Sequence, residues 1–326
     1  MSQGRPALRL LIVGLASLPL MSMSRATSSR GRACGRAAGL AVLIVAGSSL
    51  TACAVGGDDG SVPNAGGAGA GTAADLDVSH VHALDVDPAD PSRVFVATHD
   101  GLLRFEEGQG LERIGDIRSD FMGFAVGPDG VLLASGHPAP EEDGPFALGL
   151  IRSTDGGSTW DPAALSGEAD LHAMDAGEGA VVGYDAATGV LRVSDDGETF
   201  EDIDAGTGYI DVAAASEGGR VLATTAEAGL VQSDDGGRTF APVAGAPQLV
   251  LVDIAPDGAV IGVGIDGAIH TSSGTGEWQQ REGSADEGLQ AFTTGPDGAV
   301  WLLDSRGLLR SSDSGDSFLP AGGWQS

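Results

Sequence analysis

The chain has no lysine. All 17 of its basic residues are arginine, set against 46 aspartates and glutamates, for a formal net charge of −29. Six of those arginines (Arg5, Arg9, Arg25, Arg30, Arg32 and Arg36) fall in the first 52 residues, which hold no acid, so the remainder is more acidic still. Such a surface repels phosphate backbones and anionic lipid headgroups, which argues against nucleic-acid binding and polybasic docking on a membrane. Cysteine is scarce, with Cys34 and Cys53 alone, and aromatics make up 5%. Two apolar runs open the chain, 10–21 and 37–48, and both fall short of the ~20 residues that carry a helix across a bilayer. What is plentiful is glycine, at 53 of 326 residues, while a hydrophobic content of 42% suffices for a packed core and excludes wholesale disorder. Length alone fits two ordinary domains or one large all-β domain.

The second apolar run follows Arg30, Arg32 and Arg36 and leads into Leu50-Thr-Ala-Cys53. A basic segment, a short apolar segment and small residues at the cleavage point make an export signal over 1–52. Leu-Thr-Ala-Cys resembles the bacterial lipobox, which implies lipidation of Cys53 and a membrane anchor on the extracytoplasmic face. The first apolar run then reads as an over-long start, with Met21 or Met23 as the working one. Cys34 lies inside the removed segment, so the mature chain is expected to hold no disulfide. Residues 53–76 are rich in Gly and Ala, bury almost nothing, and read as a flexible tether.

Beyond the tether one unit recurs. A frame Gly-x-x-Arg/Gln/His stands at Gly101, Gly149, Gly189, Gly229, Gly267 and Gly307, spaced 48, 40, 40, 38 and 40 residues apart. After four of these frames comes a Ser-x-Asp-x-Gly-x-Thr/Ser-aromatic element: Ser153…Asp155…Gly157…Trp160, Val193…Asp195…Gly197…Phe200, Ser233…Asp235…Gly237…Phe240 and Ser311…Asp313…Gly315…Phe318. A worn copy ends at Trp278, and the first unit has lost nearly all of it. A short Asp side chain accepts hydrogen bonds from turn amides and Gly tolerates positive φ, so the element suits a hairpin connection. About 40 residues with Gly-Pro-Asp-Gly and similar turns read as four short strands, the size of a propeller blade. Six units over 77–324 predict an all-β, six-bladed β-propeller with four-stranded antiparallel blades.

The repeated element resembles the Asp-box, or BNR repeat, of sialidases and related propellers. The resemblance covers about 78–320 and extends to bacterial exported lipoproteins of sialidase-like or glycosylhydrolase-like type. It implies that Asp155, Asp195, Asp235 and Asp313 are scaffold, on the face away from any active site.

Strands alternate in direction, so the strand 1–2 turns and the Asp elements share one face and the strand 2–3 loops share the other. Aligning each first strand backwards from its turn puts His80, Asp120, Asp170, Tyr209, Gln248 and Gly288 at the opposite mouth. Two residues on come His82, Met122, His172, Asp211, Val250 and Gln290. The strand 2–3 loops add His99-Asp100, Tyr184-Asp185 and the insertion Gly136-His137-Pro-Ala-Pro-Glu141-Glu142-Asp143. Five of six histidines thus map to one face, while His270 takes a structural Arg position.

Three readings of this cluster stay open. A wet channel rim needs no ligand at all. His80, His82, His99, His137 and His172 are competent ligands for Cu or Zn. Asp120, Asp170, Glu141 and Glu142, or Tyr184 or Tyr209 as nucleophile, could serve a glycosidase, since such enzymes set two carboxyl groups about the scissile bond. Sialidases grip the substrate carboxylate with three arginines; here Arg118, Arg281 and Arg306 are the ones expected to reach the open face, and the Arg-Ile-Pro motif is absent. The leading expectation is a surface lipoprotein that binds a metal ion, glycan or protein partner at a His/Asp-rich mouth, with sialidase-like glycoside hydrolysis as the alternative.

Overall fold

The computed structural model describes residues 76, 78, 80–140, 142–204, 206–274 and 276–324. The export signal, most of the tether, Cys53 and Glu141 lie outside the described residues. Within them there is no helix, and 24 strands form six four-stranded antiparallel sheets, each from four consecutive strands. This is a six-bladed β-propeller.

The first strand of each blade (Val81–Val86, Asp120–Val126, Leu171–Gly177, Tyr209–Ala214, Leu249–Ile254 and Ala291–Thr294) packs beside the first strand of the next, and the last of the six meets the first. The second strands are flanked by neighbouring blades on both faces, and so carry continuous apolar runs such as Val300-Trp-Leu-Leu, buried throughout. In two blades the outer strand is only two residues long and exposed, at Ala241–Pro242 and Leu319–Pro320. Short edges of this kind resist pairing with other chains.

The core is divided among the blade interfaces. Six hydrophobic clusters each join two neighbouring blades: Phe121 and Phe124 pack with Phe95 and Leu102 between blades one and two, and Val212 with Leu191 and Val193 between three and four. Ring closure rests on the cluster of Trp301, Leu303 and Leu308 with Val94, Leu103 and Phe105, reinforced by Gly108 N donating to Gly322 O at 2.8 Å.

The Ser–Asp turns connect third to fourth strands. Ser153 Oγ reaches Asp155 Oδ1 at 2.8 Å and accepts the Gly157 amide at 2.8 Å, while Asp155 takes the Thr159 amide and hydroxyl at 2.9 and 2.7 Å. The same bonds recur about Asp235 and Asp313. These donors hold all three carboxyls down to about 2. Gly157 has φ +89°, and a Cβ there would stand 2.8 Å from Leu102 of the preceding blade, so the turn plugs the blade interface. Blade three departs from the expected pattern. Its turn is held by Asp196, which takes the Ser194 hydroxyl at 2.9 Å and the Thr199 amide at 2.8 Å, whereas Asp195 points outward to Arg238 at 3.1 Å. The hydroxyl sits one residue later in that copy, at Ser194 rather than Val193, and the carboxylate two residues beyond it moves with it.

Candidate functional site

A recurrent β-bulge builds the mouth. In five blades one residue near the start of the first strand, the second or in blade two the third, has no ladder partner: His82, Met122, His172, Ile210 and Val250. A bulge re-aims its side chain and strengthens local twist, which turns His82 and His172 toward the opening. The cross-strand register corrects the alignment in blade four. Tyr209 pairs with Thr225 as Val81 pairs with Thr98, so Tyr209 occupies the core register and not that of Asp120 or Asp170. It is buried against Tyr184 and Phe240, at centroid distances of 5.4 and 5.6 Å, and burial raises its pKa. Tyr209 is no exposed nucleophile.

Five of the six histidines stand at this end, and four of them gather about two aspartates. Asp120 Oδ2 lies 2.7 Å from His99 Nδ1, Asp120 Oδ1 3.4 Å from His82 Nε2, and the two imidazole nitrogens are 3.2 Å apart. Asp170 Oδ2 lies 2.9 Å from His137 Nε2 and 2.8 Å from His172 Nε2. In each triad the aspartate opens or immediately precedes the first strand of one blade, and one histidine, His99 or His137, closes or immediately follows the second strand of the blade before. His80 stacks edge-on to His99 with centroids 5.1 Å apart but does not join a triad. His270 sits in mid-strand on blade five, opposite Gly262 and Gln280.

Electrostatics bind these groups together. Burial opposes the charge on Asp120, but hydrogen bonds from His82 and His99 outweigh it and lower its pKa. Burial likewise works against a charged His172; the Asp170 hydrogen bond and charge, helped by Asp185 and Asp120, win and raise its pKa. Asp170 Oδ1 is buried with no hydrogen-bond donor. His137 Nδ1 lies 3.0 Å from the Phe146 carbonyl, and a carbonyl oxygen only accepts, so Nδ1 carries the proton. Glu142 braces the insertion: it accepts the Arg118 amide at 2.8 Å, the Ser119 hydroxyl at 2.5 Å and the Ala139 amide at 3.0 Å. Those bonds lower its pKa against the cost of burial.

The arginines do not converge. Arg281 pairs with Asp316 at 2.5 Å, on the face of the Ser–Asp turns. Arg306 grips Asp304 at 2.6 Å, and Arg118 donates to the Ile117 carbonyl at 2.9 Å.

A feature absent from the sequence reading lies beneath the mouth. A central cavity of about 220 Å³ is lined from His82 and Gln290 down to Pro88, Pro128, Pro256 and Pro296 in the turns of the far face. Asp85, Asp175 and Asp253, on blades one, three and five, each fold one oxygen back onto the following amide. The other oxygen takes an amide of the next blade, at Val126, Ala214 and Thr294, all at 2.6 Å. Asp211 makes a fourth such bridge, to Val252 at 2.8 Å. Burial, reinforced by mutual repulsion, pushes Asp85 and Asp211 up to about 7 and raises Asp175 and Asp253 as well. The repeat alignment carried this signal, as an Asp three residues after His82, His172 and Val250.

No family model and no curated protein matches the chain. Among solved structures, a GH74 xyloglucanase from Xanthomonas campestris is 19% identical with a TM-score of 0.51, over 74% of this chain and 45% of the enzyme. The chain thus spans less than half of that protein. A catalytically inactive virginiamycin B lyase from Staphylococcus aureus, solved with quinupristin, is 12% identical with a TM-score of 0.53, over 74% and 84% of the two chains. These likenesses show the fold alone.

Proposed function

We propose that this protein is an exported, lipid-anchored propeller of the Asp-box type that binds transition-metal ions, zinc or copper, at its His/Asp mouth. The observation that carries the reading is the surroundings of Asp170: two imidazole Nε2 atoms meet on one oxygen while the other is buried without a donor. Ligands about 2.1 Å from a tetrahedral ion stand roughly 3.4 Å apart, and the contacts of 2.7–3.4 Å within the triads need only small adjustments to reach that spacing. The Phe146 carbonyl behind His137 is the kind of outer partner that fixes the tautomer of a metal-bound imidazole. The three bonded Ser–Asp turns support the Asp-box assignment, and the Leu-Thr-Ala-Cys53 motif supports the anchor.

A glycosidase reading would take Asp120 and Asp170 as its carboxyl pair. Both are already engaged by imidazoles, and the arginines expected of a sialidase point elsewhere. The test is elemental analysis of the full-length protein after exposure to zinc and to copper. The wild type should retain metal and the His82→Ala/His172→Ala double variant should lose it; equal retention by both would end the metal reading.

A further inference from the structure

The two triads are neighbours, joined by a ladder rung. Asp120 of the first is the direct cross-strand partner of His137 of the second. Side chains opposite one another in an antiparallel pair share a face, with Cβ atoms about 5 Å apart. Glu142 ties the same two places through Ser119, which precedes Asp120, and Ala139, two residues after His137.

Resting on the metal reading above, we propose that the loaded mouth is a receptor for a phosphate-type oxyanion held between two divalent ions. Each triad offers three ligands, and a tetrahedral ion with three protein ligands keeps one position for an outside group. Each triad supplies one carboxylate, so a divalent ion in each leaves one positive charge in excess within each ligand set. Neighbouring cations repel, and a multidentate oxyanion that touches both offsets that repulsion while completing both coordination shells. The opening is accessible, with the His99 side chain 41% exposed and Phe146 85% exposed beside His137. The rest of the chain is strongly acidic, so anion affinity arises only where metal reverses the local charge.

The probe is inorganic phosphate, titrated calorimetrically into the full-length protein after zinc loading and desalting. Zinc is counted as the difference from a His99→Ala/His137→Ala variant, which removes any ion held elsewhere in the chain. Two zinc ions with one phosphate bound per pair, no phosphate on the metal-free protein, and at least a tenfold loss of phosphate affinity in each single variant, His99→Ala and His137→Ala, would support the proposal. Two zinc ions with no phosphate uptake would overturn it and leave the metal reading standing. Undiminished phosphate affinity in both single variants would also overturn it. No zinc difference at all would remove both.

Discussion

Asp85 of blade one closes on the backbone of blade two, its Oδ2 2.6 Å from the Val126 amide nitrogen. Equivalent contacts from Asp175 to Ala214 and from Asp253 to Thr294 place one carboxylate clasp on every second blade interface around the channel. The amides favour the ionised form, and enclosure by protein and by the other carboxylates disfavours it. Enclosure prevails.

A pH dependence of stability follows. Asp85 and Asp211 titrate near 7 in the fold and near 3.8 when unfolded, so their contribution is complete below about pH 4 and is lost as pH rises through 7. The Ser–Asp turns act oppositely: Asp155, Asp235 and Asp313, held at about 2, lose their contribution only as pH falls below about 4. The urea midpoint should therefore fall between pH 5 and pH 8. Allowing for the wet lumen, each channel group accounts for on the order of 2 kcal/mol. Asp211→Asn, which fixes a neutral side chain, should flatten the decline. A midpoint that climbs over this range would show the clasps to be ionised throughout.

Neighbouring aspartates in blade three separate scaffold from surface. Asp196 takes the Ser194 hydroxyl and two turn amides, whereas Asp195 meets only Arg238 at the exterior. Asp196→Ala should lower the Tm by several degrees and Asp195→Ala should leave it nearly unchanged, since exposed ion pairs contribute little. Thermal melts of the two variants decide it; a larger drop for Asp195→Ala would reverse the assignment.

Blade number and strand count were legible because a repeat averages over its copies: six glycine frames and five aromatic ends outvote the two degraded units. Side-chain direction was less so. Counting back from each turn assumes an unbroken two-residue alternation, and the bulges at His82, Met122, His172, Ile210 and Val250 break it. His82 and His172 lay on the correct side of the count, but the turn of blade four opens at Ala215, whose amide bonds the Arg220 carbonyl as that of Asp87 bonds Arg93, and a count begun one residue later moved Tyr209 from the core to the rim. Asp85, Asp175 and Asp253 went unread for a different reason. Single buried acids in alternate copies do not form a local motif.

Glu142 should matter to the mouth without touching a metal. Its three hydrogen bonds hold the start of the Asp120 strand to the insertion after His137. Glu142→Ala frees the Arg118 and Ala139 amides, and outer-partner losses of this kind weaken metal affinity by about 10- to 100-fold. Competition with a zinc chelator should show that loss, with far-UV circular dichroism unchanged. Full affinity in the variant would mean that the insertion is held by other contacts.

Gly136 sits where both triads depend on one backbone position. It precedes His137, pairs with Phe121 across the bulge at Met122, and has φ +147°. A Cβ there would fall 1.9 Å from the carbonyl oxygen of Asp120 and 2.9 Å from the Met122 nitrogen. Backbone cannot yield as a flexible side-chain tip would, so Gly136→Ala must push the Asp120 strand away from the His137 strand. Four of the six interface clusters contain no residue of this blade and keep the rest of the ring packed. The expected result is a folded protein, melting several degrees lower, that holds less than half of the wild-type zinc. Gly130→Ala, in a turn of the same blade on the opposite face with open space about its Cβ position, supplies the control for strain at positive φ. Wild-type zinc content in Gly136→Ala would show that the spacing of these two strands does not position the triads.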